Sequence, residues 1–313
     1  MRNLLLSAAT LLISLSPALA QPGGAPFTVV ETGEGYGRLQ QAVDAIGQGS
    51  GTVEIAPGRY RDCAVQDGGI IHYRAARPGS VSFSGGICQG KAALVLHGRS
   101  ARVEGLIFER MAVPDGNGAG IRLETGDLSI DNSVFRDSQQ GLLTASYPAG
   151  TVSIDQSTFS RLGGCNAEGA DCAHSVYIGD YGRVSITRSR FEAGTGGHYV
   201  KSRARMARIV DNSFDDSQGH ETNYMIDLPN GATGEISGNE MVQGRSKDNY
   251  STFIALAAEG AERSSAGLVI NGNGARFVPG VERKSALLAD WTHDRVMTAG
   301  NDLAPGISVR VQR

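Results

Sequence analysis

From residue 27 onward the chain is a succession of short apolar runs separated by Gly, Asp, Asn and Ser. Phe27 to Val30 reads as a strand, as do Thr52 to Ile55, Val81 to Phe83 and Ala93 to Leu96. The stretch from Tyr36 to Ile46 has a different period. Its apolar residues Leu39, Ala42, Val43 and Ile46 recur at i, i+3, i+4 and i+7, which puts them on one face of a helix.

From residue 103 the runs become a repeat. Val103, Ile130, Ile154, Ile186, Ile209 and Ile236 each precede by five positions a large apolar residue: Phe108, Phe135, Phe159, Phe191, Phe214 and Met241. The intervals are 27, 24, 32, 23 and 27 residues. Three residues after each first position stands Leu106, Ser133, Ser157, Ser189, Asn212 or Asn239, and Ile270 with Asn273 extends the series. A small polar residue at a constant place in each copy predicts a ladder of stacked turns. Self-similarity at about 25 residues with β character means a solenoid in which each coil covers the next. Leucine-rich repeats would need Leu-x-x-Leu-x-Leu, which is absent, and propeller blades need roughly 40 residues. The expectation is therefore an all-β parallel β-helix, with the helix at 36–46 covering the otherwise exposed N-terminal coil.

Residues 1–20, with Arg2, a short apolar run and Ala18-Leu19-Ala20, read as a cleaved signal peptide, leaving 21–313 as one β-helix domain. Gln21 rather than Cys follows the cut, so no lipid anchor is expected, and no later stretch approaches the about 20 apolar residues of a membrane span. The expected location is secreted or periplasmic. The formal net charge of −3, or −4 without Arg2, gives no general attraction to nucleic acid. Positive charge is local: Arg183, Arg188, Arg190, Lys201, Arg203, Arg205 and Arg208 against Glu192 alone, a net +6 that would attract an anion.

The early helix Leu39-Gln-Gln-Ala-Val-Asp-Ala-Ile, the following Gly51-Thr-Val-Glu-Ile-Ala-Pro-Gly-Arg-Tyr60 and the Ile-x-x-Asn/Ser-x-Phe repeats together resemble the pectin lyase-like, single-stranded right-handed parallel β-helix superfamily. The resemblance covers nearly the whole chain after residue 20. It implies a carbohydrate-active protein whose ligand runs across one face of the solenoid. The Asn-Thr-Asp box of polygalacturonases, the acidic calcium cluster of pectate lyases and the Asp-Pro-His-Asp motif of epimerases are absent. Tyr199-Val-Lys-Ser202 followed by Asn212-Ser-Phe214 is similar to alginate and chondroitin lyases that place a Lys and an Arg on the solenoid face.

Aligning the strands that precede each repeat unit puts Ile121, Val176, Val200 and Ile226 in the core and sends Arg122, Tyr177, Lys201 and Asp227 outward as one column. His174, His198, Tyr199 and Arg203 lie around it. The segment from Phe159 to Val176 spans 17 residues, against 7 from Phe135 to Leu142, so a wall is expected beside His174 and Tyr177.

β-Elimination on a uronic-acid polymer needs a cation on the C6 carboxylate, a base for the C5 proton and a donor for the leaving O4. Arg203, with Arg205, suits the first, Lys201 or His198 the second, and Tyr177 or His174 the third. Tyr199, Asp227 and Arg122 are expected to bind substrate, Asp227 by orienting Lys201. A hydrolase would instead need two carboxylates, for which Asp227 with Asp215 or Asp216 is the available pair. A non-catalytic glycan-binding solenoid is the third reading. No His/Cys group has metal-ligand spacing, so neither metal nor cofactor is expected. The expected partner is an anionic polysaccharide, bound by a monomer. The 25-residue separation of Cys63 and Cys88 matches one coil and predicts a bridge between adjacent coils, and Cys165 with Cys172 is expected to close the wall.

Overall fold

In each repeat the isoleucine stands next to the end of one strand, a single residue in the left-handed region turns the chain, and the phenylalanine stands near the start of the next strand. The turning residue is the one just before the small polar residue: Asn132, Gln156, Arg188, Asp211 and Gly238 have φ of 46°, 47°, 47°, 57° and 63°. Glycine adopts such angles freely, Asn and Asp tolerate them, and Gln156 and Arg188 hold them against a steric cost.

The computed structural model describes residues 24–165 and 172–313; the leader at 1–20 lies outside the described residues. Coils stack into three long sheets of 12, 10 and 10 strands, and neighbours in each sheet come from successive coils and run parallel, apart from the N-terminal strands. The register is the one the repeat implies: Val103, Ile130, Ile154, Ile186, Ile209, Ile236 and Ile270 are successive partners in the first sheet. Phe108, Phe135, Phe159, Phe191, Phe214 and Met241 are successive partners in the second. The buried phenyl rings from Phe108 to Phe214 stack at 4.9–5.0 Å.

Between these two sheets runs the polar ladder. The backbone N–H of each rung donates to the side chain of the next: Leu106 to Ser133, Ser133 to Ser157, Ser157 to Ser189, Ser189 to Asn212, Asn212 to Asn239, Asn239 to Asn273. The buried corner thereby satisfies its amides, which would each cost about 1–3 kcal/mol if left unpaired.

The helix spans Leu39–Ile46 and buries Leu39, Ala42 and Val43 against the first coils. It starts three residues later than its periodicity suggests, because Glu34–Tyr36 pairs as a strand with Phe27–Val29. Asp62 of the next coil accepts the Leu39 N–H at 3.2 Å and pairs with Arg38, so a carboxylate sits at the helix N-terminus.

Both disulfides are formed and no cysteine is free. Cys63 and Cys88 occupy the same corner of adjacent coils, but not equivalent positions. Before the corner Tyr60 pairs with Phe83, and after it Ala64 pairs with Leu94, offsets of 23 and 30 residues rather than 25. The longer corner of the second coil lets Cys88 reach back. Cys165 and Cys172 face each other in a short antiparallel hairpin.

The run of positive charge does not form one patch. Twenty-six residues are about one coil, so the basic side chains from 183 to 208 are carried round all three sheets. Arg183 and Arg208 lie on the first, Arg188 pairs with Asp155 at its edge, and Arg190 pairs with Glu192 and Asp215 on the second. Only Lys201 and Arg203 face the groove on the third sheet.

Candidate functional site

The third sheet carries the outward column, with one coil that the alignment of the sequence passed over. Arg122 pairs with Leu143, Leu143 with Tyr177, Tyr177 with Lys201 and Lys201 with Asp227. Leu143 thus separates Arg122 from Tyr177, and Arg122 is turned to Glu124 instead, outside the groove lining. Two residues before the core positions Leu142, Val176, Val200 and Ile226 stand Gln140, His174, His198 and Tyr224, a second polar column at the strand starts. Its rings stack, His174 on His198 at 4.9 Å and His198 on Tyr224 at 5.4 Å.

From the two columns Gln140, His174, His198, Leu143, Tyr177 and Lys201 line a groove of about 650 Å³, together with Asp115, Asn117, Cys172, Arg203 and Glu259. The Cys165–Cys172 hairpin contributes to its wall, as the length of the 159–176 segment suggested. A second wall was not foreseen. Between Leu256 and Val269 the chain carries twelve residues where the preceding coil needs four, 229–232, and this insertion brings Glu259 over the Lys201 coil. The signal was present as the 34-residue interval from Ile236 to Ile270, longer than every earlier one.

Glu259 is the centre of the cationic end. One of its oxygens accepts from Lys201 Nζ and the other from Arg203 Nη2. Arg203 is further fixed by donating Nε–H to the Tyr177 hydroxyl oxygen at 2.9 Å and Nη1–H to Asn230. Burial alone would raise the Glu259 carboxyl, but the hydrogen bonds from Lys201 and Arg203 hold it below the usual carboxylate range. Lys201, its side chain 12% exposed, also lies 3.6 Å from Asp227. It therefore meets two carboxylates.

Asp227 is buried behind Lys201. Desolvation pushes it up to about 7, against the opposing pull of Lys201. Its Oδ2 is 3.4 Å from His198 Nε2, and its Oδ1 has no hydrogen-bond partner. Burial, with the Lys201 cation adding to it, depresses His174 to about 3, and burial followed by the neighbouring His174 depresses His198 as well. Both imidazoles are neutral near pH 7. His174 Nδ1 accepts the His198 backbone N–H at 3.0 Å, so its neutral ring carries the proton on Nε2 and is a donor. Of the two His198 ring nitrogens, Nε2 faces Asp227 and Nδ1 is buried without a hydrogen-bond partner.

The other expected residues fall outside this arrangement. Tyr199 is 1% exposed and donates its hydroxyl to Asp216 at 2.6 Å, inside the corner, so it supports the coil and does not reach the groove. Arg205 does not line the groove and lies 3.6 Å from Asp180. Asp216 is buried with Lys247, Thr222 and Tyr199, and Asp215 lies on the second sheet. Neither can pair with Asp227. Among the described residues no group of three or more His, Cys, Asp or Glu could hold a metal ion, and no helix is long and apolar enough to cross a membrane.

No family model matches the sequence, and no curated protein matches it. Solved structures do. The PL6 family alginate lyase AlyGC aligns at 14% identity and a TM-score of 0.56 over 81% of this chain and 36% of the lyase. A pectin methylesterase from Aspergillus niger aligns at 14% identity and a TM-score of 0.52 over 84% of this chain and 88% of the esterase. ORF18 of Geobacillus virus E2 aligns at 14% identity and a TM-score of 0.52 over 87% and 56%. The chain therefore spans about a third of the alginate lyase's length. At such identities the likeness is one of architecture. The fold is a pectin lyase-like right-handed parallel β-helix.

Proposed function

We propose that the protein is an exported lyase that cleaves a uronic-acid-containing polysaccharide by β-elimination in the third-sheet groove. The observation that carries the reading is the Lys201–Arg203 clamp, which already grips a carboxylate, that of Glu259, beside two neutral imidazoles and a phenol. A substrate C6 carboxylate displacing Glu259 would be held by the same donors, with Arg203 kept in plane by Tyr177 and Asn230. Its negative charge grows as C5 is deprotonated, and the two cations then stabilise it more strongly than in the ground state.

His198 takes the C5 proton through Nε2, with Asp227, 3.4 Å away, orienting the ring and stabilising the imidazolium that forms. The C5 electron pair forms the C4=C5 double bond as the C4–O4 bond breaks. Tyr177, whose oxygen accepts from Arg203 and whose own proton is free, or His174 through Nε2–H, protonates the leaving O4. Export fits the two disulfides, which persist in oxidising compartments. An alginate lyase and a pectin methylesterase have this fold, which agrees with an acidic polysaccharide as ligand.

The test is to offer pectate, alginate, glucuronan and glycosaminoglycans and follow the ultraviolet absorbance of the unsaturated uronate. A rise that Lys201→Ala abolishes is the expected result. Reducing ends appearing without absorbance would instead favour a glycoside hydrolase, for which one observation speaks: Asp227 and Glu259 flank Lys201 with their carboxyls pushed in opposite directions, as in an acid and base pair. Against it, Asp227 stands behind Lys201 and does not line the groove. No turnover on any polymer, with binding retained, would leave a glycan-binding solenoid.

A further inference from the structure

The groove does not end at the clamp. It continues across the His174 coil to the Gln140 coil, two rungs or roughly 10 Å away, and opens there into a second hollow of about 390 Å³ along the Cys165–Cys172 hairpin. Asp115, Asn117 and Cys172 line both spaces.

The chemistry at this far end is opposite to that of the clamp. Gln140 lines the groove and is 2% exposed; its Nε2–H donates to Asn117 Oδ1 at 2.9 Å, while its Oε1 is buried without a partner. Asp115 stands beside it, one oxygen accepting the Asn117 N–H at 3.0 Å. Gln139 is fully engaged in holding the 113–118 loop, accepting from the Val113 and Gly118 N–H groups and donating to Val113 O. Among the described residues no Lys or Arg lines the second hollow. An acceptor that is buried and unpaired costs free energy until a donor reaches it, and an aspartate at the same place disfavours a second carboxylate.

We propose that Asp115, Asn117 and Gln140 form a second sugar subsite that takes a residue without a carboxylate, one that presents hydroxyl or amide N–H donors to Gln140 Oε1. The ligand is then a heteropolymer in which a uronate is followed by a neutral or N-acylated amino sugar, not a homopolyuronate. The proposal rests on the reading of Lys201 and Arg203 as the carboxylate clamp.

Calorimetric binding by the full chain carrying His198→Ala, which prevents turnover and keeps the clamp, tests it. The probes are tetrasaccharides in which a uronate alternates with an N-acetylhexosamine or a neutral hexose, and tetra-uronates from pectate and alginate. The alternating probes are expected to bind about tenfold more tightly. Asp115→Asn, on an exposed loop, raises tetra-uronate affinity about threefold and leaves the alternating probes unchanged. Gln140→Leu lowers affinity for the alternating probes about fivefold. Equal binding of both classes, lost on Arg203→Ala and indifferent to Asp115→Asn, overturns the subsite alone. Binding of neither class, or binding indifferent to Arg203→Ala, overturns the clamp reading and this inference with it.

Discussion

At the corner between the first and second sheets, the buried side chains from Ser133 to Asn273 each accept from the coil before, and Asn212, Asn239 and Asn273 also donate to backbone carbonyls. Across the third-sheet groove, only a few residues further along the same coils, Gln140 Oε1, His198 Nδ1 and Asp227 Oδ1 are buried without partners, and a carboxylate is held near pH 7 beside a lysine. The repeat builds both regions, yet one saturates its polar groups and the other leaves them open. A ladder that repeats can satisfy each rung with the next; a site must keep atoms free for a ligand, at a cost in stability. The solenoid can carry that cost because the ladder and the phenyl stack hold the coils elsewhere.

The largest effects should separate the two regions cleanly. Arg203→Ala is expected to lower the elimination rate about 10²- to 10³-fold with the melting temperature nearly unchanged. Asn239→Ala, which strands the Asn212 N–H and the Ile209 carbonyl, should lower it by about 4–10 °C, with the folded fraction fully active. If Asn239→Ala reduced the rate per folded molecule as much as Arg203→Ala, the division between scaffold and site would be wrong.

Asp227 sharpens the contrast through pH. Its folded value of about 7 lies above the ordinary 3.8, so between those values the folded chain binds a proton that the unfolded chain lacks. Stability from this group falls as pH rises through that window, and the penalty is complete above about 7. His174, depressed to about 3, acts in the reverse direction: its contribution is complete above the unfolded value of 6.5 and is lost as pH falls below it. The elimination rate should decline below pH 7, where Asp227 takes a proton and no longer orients His198. Asp227→Asn is therefore expected to abolish most turnover while raising the melting temperature at pH 8 by about 2–4 °C, with a smaller difference at pH 5. A variant that loses stability at pH 8 would remove the argument that the groove is kept at a cost.

The disulfides divide along the same line. Cys63–Cys88 joins two coils across 25 residues and should contribute about 3 kcal/mol to stability, with no effect on rate. Cys165–Cys172 closes a short hairpin in the groove wall. Its replacement by serines should slow turnover several-fold and barely move the melting temperature. Equal effects of both on melting would show that the wall is part of the scaffold.

Much of this was legible in the residues. Ile at one position, Ser or Asn three later and Phe five later is a local pattern, and parallel stacking copies a local pattern into a long-range register without further information. The helix face, both cysteine pairings and the adjacency of Tyr177, Lys201 and Asp227 follow from it. Where coils differ in length the pattern is silent, and three departures occur there: the skipped coil at Leu143, the shifted corner at Cys88, the insertion carrying Glu259. The cluster of basic residues misled for a related reason, since a run about one coil long is adjacent in sequence and dispersed round three faces in space. Tyr199 and Asp227 were indistinguishable from exposed residues until the bend at each strand start was known. Repetition along the chain thus determined the fold, because identical coils can only pair with themselves in register; the tertiary structure alone decided which side chains share the groove, because that depends on loop lengths and burial, which no periodicity encodes.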